Sequence, residues 1–241
     1  MSASYIKKSL FAIAFDIDGV LLRGKLTLQS APRALQLLRR STNPALSVSD
    51  VPFVLLTNGG GVTEAMKAQE ISERVGLSIA PEQVILSHTP MQSLVPKFAD
   101  RSVLFIGKDE CKAAALQYGF RKPLLSADLM QRHPGMWPYS KPSQAKVPHL
   151  HEPLAAVMVF HDSQDWGRDL QILSDVLLEN GANPGQRVQL PLFFSNPDFL
   201  WSNDFPEPRY GQGAFKEHLK HIMKVCHLNI LEVLSSWVMI F

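Results

Sequence analysis

Apolar residues along this chain gather in short runs, and most runs end abruptly in small or polar residues. Phe11 to Phe15, Val51 to Leu56, Val84 to Leu86, Ser102 to Gly107, Leu154 to Phe160 and Gln189 to Phe194 read as buried strands. Segments of mixed charge lie between them. Their composition predicts helices over Ala31 to Arg40, Thr63 to Val75, Met91 to Phe98, Glu110 to Tyr118 and Trp166 to Leu178, with another starting near Ala214. Strands that alternate with helices define an α/β chain with a parallel sheet. One stretch breaks the rhythm: between Lys122 and Pro153, Pro134, Pro138, Pro142 and Pro148 stand among basic residues, which reads as an irregular surface loop.

Composition narrows the function more than the fold. With 241 residues, 46% of them hydrophobic, the chain has material for one large core or two modest ones. A formal charge of +2 and the lack of a long lysine-arginine block argue against nucleic acid or a membrane surface, so a small partner is expected. No apolar run reaches membrane-crossing length. Cys111 and Cys226, far apart and without metal-type spacing, point to a reducing compartment. Residues 1–15 hold Lys7, Lys8, serines and no acid before Asp16, a composition that suits a mitochondrial presequence. Cleavage there would damage the first strand, so any such presequence is expected upstream.

The chemistry begins at Asp16-Ile-Asp18-Gly19, where the first apolar run stops in two carboxylates. Strand side chains alternate with period two, so Asp16 and Asp18 start on one side, at the strand end where open α/β sheets bind ligands. One carboxylate can attack phosphorus while the other handles the proton, with a divalent cation screening the pair. The second strand ends in Thr57-Asn58-Gly59-Gly60-Gly61, a hydroxyl, an amide and glycines whose backbone N–H groups can close on an anion. Other polar residues also follow strands. His88 reads as a turn or core residue before a catalytic one, and His161, Asp162 and Asp165 as a helix start, with Asp162 or Ser163 as the cap, before a metal cluster. Asn196 and Asp198 read equally as residues facing the cleft or as an Asn-Pro turn.

The string Asp16-Ile-Asp-Gly-Val-Leu-Leu-Arg-Gly24 resembles the first motif of the haloacid dehalogenase-like (HAD) phosphohydrolases, and Thr57-Asn58-Gly59 their second. The SNPD strand end and Gly211-Gln-Gly-Ala-Phe215 look like subfamily IIA, and TNGGG, FHDSQDWGRD and PRYGQGAF look most like its branch named for the cat eye syndrome critical region protein 5. The resemblance implies a Rossmann-like HAD core interrupted by an inserted α/β cap of C2 type. The segments expected are 1–90 for the first part of the core, 91–200 for the cap and 201–241 for a return to the core. It further implies Asp16 as nucleophile and Mg2+ ligand, Asp18 as general acid/base with its backbone carbonyl as Mg2+ ligand, and Thr57, Asn58 and Gly59 as phosphate contacts. The substrate implied is a small phosphorylated metabolite, with a loose link to glycerophospholipid metabolism. The compartment implied is the mitochondrion, with the cytoplasm as alternative.

The chain departs from that family after the cap. Neither the Gly-Lys-Pro lysine motif nor the Gly-Asp acidic motif occurs, and Lys216, Lys220 and Lys224 stand at helical spacing as a solvated stripe. The core is therefore expected to be incomplete at its C-terminus, the ending truncated or aberrant, and the first strand an exposed edge that the tail from Trp237 to Phe241 could cover. Because lysine and metal cancel the repulsion between aspartate and phosphate, impaired turnover is expected. The alternative is a catalytically defective phosphate-binding or regulatory protein.

Overall fold

The computed structural model describes residues 11–39, 51–139, 146, 151–179, 190–225 and 237–239. Cys226, Lys7, Lys8, Pro142 and Pro148 lie outside these. The chain forms two compact units: Met1–Thr57, Glu64–Leu86 and Ser202–Pro206 make the first; Asn58–Thr63, Ser87–Trp201 and Glu207–Phe241 make the second. These units cut the chain differently from the expected segments, chiefly because residues 207–241 cluster with the second unit.

The first unit contains β1 (Ile13–Asp16), the short pair β2 (Leu22–Arg23) and β3 (Leu26–Thr27), α1 (Ala31–Arg39), β4 (Phe53–Leu56), α2 (Glu64–Val75) and β5 (Val84–Ile85). Its three-stranded sheet has the order β1-β4-β5 and is parallel throughout, with Asp16 level with Leu56. Gln83 ties the sheet to its surroundings: its Nε2 donates to the Phe53 carbonyl at 3.1 Å, and its Oε1 accepts from Arg39 at 3.3 Å. As expected, β1 is an edge. Its Ala14 and Asp16 are exposed, and Phe11 just before it is 49% exposed.

The second unit contains α3 (Val95–Phe98), β6 (Ser102–Ile106), α4 (Glu110–Tyr118), β7 (Lys122–Leu125), α5 (Ser126–Arg132), β8 (Leu154–Val159), α6 (Trp166–Glu179), β9 (Leu192–Phe194), the pair β10 (Leu200–Trp201) and β11 (Arg209–Tyr210), α7 (Gln212–Val225) and β12 (Trp237–Met239). Its five-stranded sheet runs β12-β9-β8-β6-β7, all parallel. Every residue of β6 is buried, yet period two still sorts them. Leu104 and Ile106 join Val157, Val159, Leu192 and Phe194 against Ile172 of α6 and Phe215 of α7, whereas Val103 and Phe105 join Ala156, Met158 and Phe193 against Cys111 and Ala114 of α4.

Three expectations need correction. The stretch from Lys122 is not irregular but carries β7 and α5. Pro123 is tolerated because β7 is the edge of the sheet, where a missing N–H costs little. Asp128 starts α5 by accepting the Leu125 N–H at 2.8 Å while holding Lys112 at 2.8 Å. Second, Trp237–Met239 does form a strand, but it pairs with β9 rather than β1. A buried β9 has β8 on one side only, and β12 satisfies the backbone groups of the other. Third, the lysines of α7 are not one solvated stripe. Lys224 is exposed and Lys220 pairs with Glu217 at 2.6 Å, but Lys216 is half-buried with Nζ 5.8 Å from the Phe194 ring centroid.

Candidate active site

Within the first unit, β1 delivers its carboxylates to solvent by strand alternation that outlasts the strand. Asp16 and Asp18 are exposed, and Ile17 between them is fully buried. Asp16 Oδ1 accepts the N–H of Ile17 at 2.8 Å. The chain then turns back, with the Leu21 and Leu22 N–H groups on the Ile17 carbonyl at 2.9 Å each. Gly19 takes φ +89°, a conformation that L side chains rarely adopt, so this glycine makes the turn under the acids. From the end of β4, the buried Thr57 donates its hydroxyl to Asp18 Oδ2 at 3.0 Å, while its own N–H is fixed on the Ile85 carbonyl at 3.1 Å. Three strand ends thus gather Asp16, Asp18 and Thr57.

The donors fit magnesium. The Asp16 carboxylate and the Asp18 backbone carbonyl are hard oxygen donors of the kind that ion takes, the remaining positions going to waters and substrate phosphate. Among the described residues no third histidine, cysteine or acid joins them in a metal-sized group.

Asn58 and the glycines belong to the second unit, where they are gripped closely. The Asn58 side-chain amide donates to Asp198 Oδ2 at 2.8 Å, and its backbone carbonyl accepts Asn196 Nδ2 at 2.9 Å. The Asp198 N–H returns to Asn196 Oδ1 at 3.0 Å, so the Asn-Pro turn is present and also holds Asn58. The Gly59 carbonyl accepts the Ser87 N–H at 3.2 Å. A Cβ on Gly60 would lie 2.6 Å from the Phe160 carbonyl oxygen and 2.8 Å from both the His88 ring and Ser87 Oγ. One on Gly61, at φ +76°, would lie 2.6 Å from the His161 ring. Close packing therefore demands these two glycines whether or not an anion ever sits above them. Ser87 Oγ passes the network on to Ser195 Oγ at 3.1 Å, which in turn accepts Gln212 Nε2 at 2.9 Å.

His88 is a core residue. It is fully buried, stacks on Phe160 at 4.5 Å and 6°, and sets Nδ1 2.8 Å from the Tyr118 hydroxyl. Burial, with His161 and Lys108 adding to it, pushes its pKa down to about 3, so the ring is neutral near pH 7. The start of α6 is capped by Asp165, whose Oδ1 accepts the Arg168 N–H at 3.0 Å, instead of by Asp162 or Ser163. Ser163 donates to the buried Asp169 at 2.6 Å. Asp162 lies close enough to Asp198 to feel its charge. Burial first, and that charge second, push its pKa up to about 6, against the pull of the Gln212 backbone N–H. The tie between Asn58 and Asp198 spans 140 residues, and only their shared position after strand ends hinted at it.

A family model for haloacid dehalogenase-like hydrolases matches residues 13–121, which include both acids and the Thr57 loop. A mitochondrial hydrolase of Saccharomyces cerevisiae is 36% identical over 220 residues, covering 85% of this chain and 60% of that protein. A cardiolipin synthase (CMP-forming)/mitochondrial hydrolase fusion protein of Schizosaccharomyces pombe is 33% identical, covering 84% of this chain and 35% of that one. Among solved structures, the glycerol phosphate phosphatase of Mycobacterium tuberculosis in complex with magnesium superposes with a TM-score of 0.59 at 15% identity, covering 88% of this chain and 51% of that one. Residues 13–121 thus match the haloacid dehalogenase-like hydrolases, and the chain has their α/β fold. It spans less than two thirds of the length of either curated relative. Among the described residues no helix is long and apolar enough to cross a membrane.

Proposed function

We propose that this chain carries the nucleophile half of a magnesium-dependent phosphohydrolase for small phosphate esters. The observation that carries the reading is the gathering of Asp16, Asp18 and the Thr57 hydroxyl at adjacent strand ends, with the Thr57–Asp18 hydrogen bond at 3.0 Å. An Asp16 oxygen forms a bond to phosphorus as the ester P–O bond breaks, and protonated Asp18 gives its proton to the leaving alkoxide. Asp18, now ionised, takes a proton from water as that water displaces Asp16 and releases phosphate. Thr57, on leaving Asp18, donates its hydroxyl to a phosphoryl oxygen. Asn58 and Gly59, which follow it in the chain, are proposed as further phosphate contacts. Magnesium, which the Asp16 carboxylate and the Asp18 backbone carbonyl would hold, would supply charge to offset the meeting of carboxylate and phosphate.

Segments 1–90, 91–200 and 201–241 are proposed as core, cap and return to core on the strength of the resemblance in motif order, and the cat eye syndrome critical region protein 5 branch on the same ground. The relatives' names support a mitochondrial location, and the fusion with a cardiolipin synthase supports a substrate related to glycerophospholipids. Neither Gly-Lys-Pro nor Gly-Asp occurs within the 241 residues, so slow turnover is proposed for this chain taken alone. The test is magnesium-dependent hydrolysis of an aryl phosphate by this chain and by one extended with both motifs. Activity in the extended form that disappears with Asp16→Asn is the expected result. Equal activity with and without Asp16 overturns the reading, and phosphate binding without turnover in either form favours the regulatory alternative.

A further inference from the structure

We infer that Asp198 is a positioning residue that fixes which end of the Asn58 side chain is presented to phosphate. The inference rests on the proposed role of Asn58 as a phosphate contact. An asparagine amide has a donor end and an acceptor end of nearly the same shape, and a half-turn about its last bond exchanges them. Only the donor end can serve an anion. Asn58 is exposed, so packing does little to choose between the two. Asp198 makes the choice. Its Oδ2 accepts from Asn58 Nδ2 at 2.8 Å, and an ionised carboxylate repels the amide oxygen that a half-turn would put there. An NH2 group has two hydrogens, so one is spent on Asp198 and the other is aimed.

The holder is itself held. Asn196 Oδ1 accepts the Asp198 N–H at 3.0 Å, and Asn196 Nδ2 donates to the Asn58 carbonyl at 2.9 Å, so one side chain locks both partners. The Asp198 carbonyl accepts the Gly213 N–H at 2.8 Å. A Cβ on Gly211 would come within 2.5 Å of that same carbonyl oxygen, and one on Gly213 within 2.1 Å of the Pro197 carbonyl oxygen. The two glycines of Gly211-Gln-Gly213 thus let the start of α7 close on the backbone that carries Asp198. The sequence strings SNPD and YGQG are two sides of one clamp, and Asn58 is what the clamp orients.

The test measures inorganic phosphate binding by calorimetry in the presence of magnesium for the full chain, Asn58→Ala, Asp198→Asn and the double variant. Asp198→Asn keeps the shape but pairs as readily with the amide oxygen of Asn58 as with its nitrogen. The expected result is a loss of about tenfold in each single variant, the scale of one charge-assisted hydrogen bond, and no further loss in the double variant. A merely structural role for Asp198 would add to the Asn58 loss instead of being absorbed by it, and would overturn the inference. So would unchanged binding by Asp198→Asn where Asn58→Ala weakens it. If the parent binds phosphate and Asn58→Ala changes nothing, the role of Asn58 fails first and the inference fails with it; if the parent binds none, the phosphate site itself fails. Side-chain amide resonances give a readout without ligand: hydrogen exchange of the Asn58 amide should quicken in Asp198→Asn with the melting temperature unchanged, and unchanged exchange overturns the proposed hold.

Discussion

The two units of this molecule differ in how tightly they are built and in which of the proposed site residues each carries. The second has a five-stranded parallel sheet with a buried apolar layer on each face, and strands such as β6 expose nothing. The first has three strands, an edge strand with exposed residues at alternate positions, and large apolar side chains such as Leu26 and Leu56 at 71% and 47% exposure. Yet Asp16, Asp18 and Thr57, the proposed reacting groups, all lie in the thinner unit. Reactive carboxylates need solvent, substrate and a strand end, and a sheet covered on both faces offers these only at its rim. The well-packed unit instead holds the backbone that follows Thr57, from Asn58 through Gly61, with contacts too close for a Cβ at Gly60 and Gly61.

The comparison would break most visibly in the cores. Phe194 is fully buried between β9 and its helices, so Phe194→Ala should cost about 3–5 kcal/mol, whereas Phe15→Ala on the half-covered edge strand should cost about 1 kcal/mol or less. All four tryptophans, Trp137, Trp166, Trp201 and Trp237, belong to the second unit, so their fluorescence during denaturation reads Phe194→Ala, while hydrogen exchange of β4 and β5 amides reads Phe15→Ala. Equal losses in both variants would mean that the first unit is as tightly built as the second. Next in size is Gly60→Ala. Its methyl group meets a backbone oxygen at 2.6 Å that cannot swing aside, and about 1–3 kcal/mol should be lost in the same fluorescence transition.

Much of this division was legible in the sequence. Apolar runs gave nearly every strand of both sheets, and the edge position of β1 followed from the strands expected beside it. Composition failed where context decides: the proline-rich stretch from Lys122 reads as a loop, but its first residues form an edge strand that needs no N–H from Pro123. Asp16, Asp18 and Thr57 were readable because each ends or follows an apolar run. The clamp on Asn58 was not, since Asp198 lies 140 residues away and no local pattern reports a contact made by folding. At the glycine triplet the sequence shows only where a Cβ is missing, and the structure shows what lies in its place at Gly60 and Gly61.

A pH scan sharpens the comparison further. The folded pKa of His88 is depressed to about 3 from the ordinary 6.5, so its neutral form adds stability that is complete above about 6.5 and is lost as pH falls toward 3. Between pH 7 and pH 5 the loss due to His88, read as the difference between the chain and His88→Gln, should be about 2 kcal/mol. Asp162 works in the opposite sense. With its folded pKa raised to about 6 from 3.8, it contributes stability that is present below 3.8 and is lost as pH rises through 6. Asp162→Asn should therefore stabilise the unit at pH 7 by about 1–2 kcal/mol and have no effect near pH 3.5. A gain that grew on acidification would contradict the assigned burial.

The smallest expected effect on stability belongs to the residue with the largest expected role. Asp16 is exposed at the end of an edge strand, and Asp16→Asn keeps an oxygen able to accept the Ile17 N–H that Asp16 Oδ1 takes at 2.8 Å. Its effect on the unfolding free energy should stay within about 0.5 kcal/mol, the ordinary range for surface substitutions. Because the first unit has no tryptophan, hydrogen exchange of β4 and β5 amides is the measurement to use. If exchange in those strands is unchanged while phosphate-ester hydrolysis by the extended chain is abolished, Asp16 serves the reaction and not the fold. If the strands open, the carboxylate helps to hold this edge together, and loss of hydrolysis no longer assigns Asp16 to the reaction.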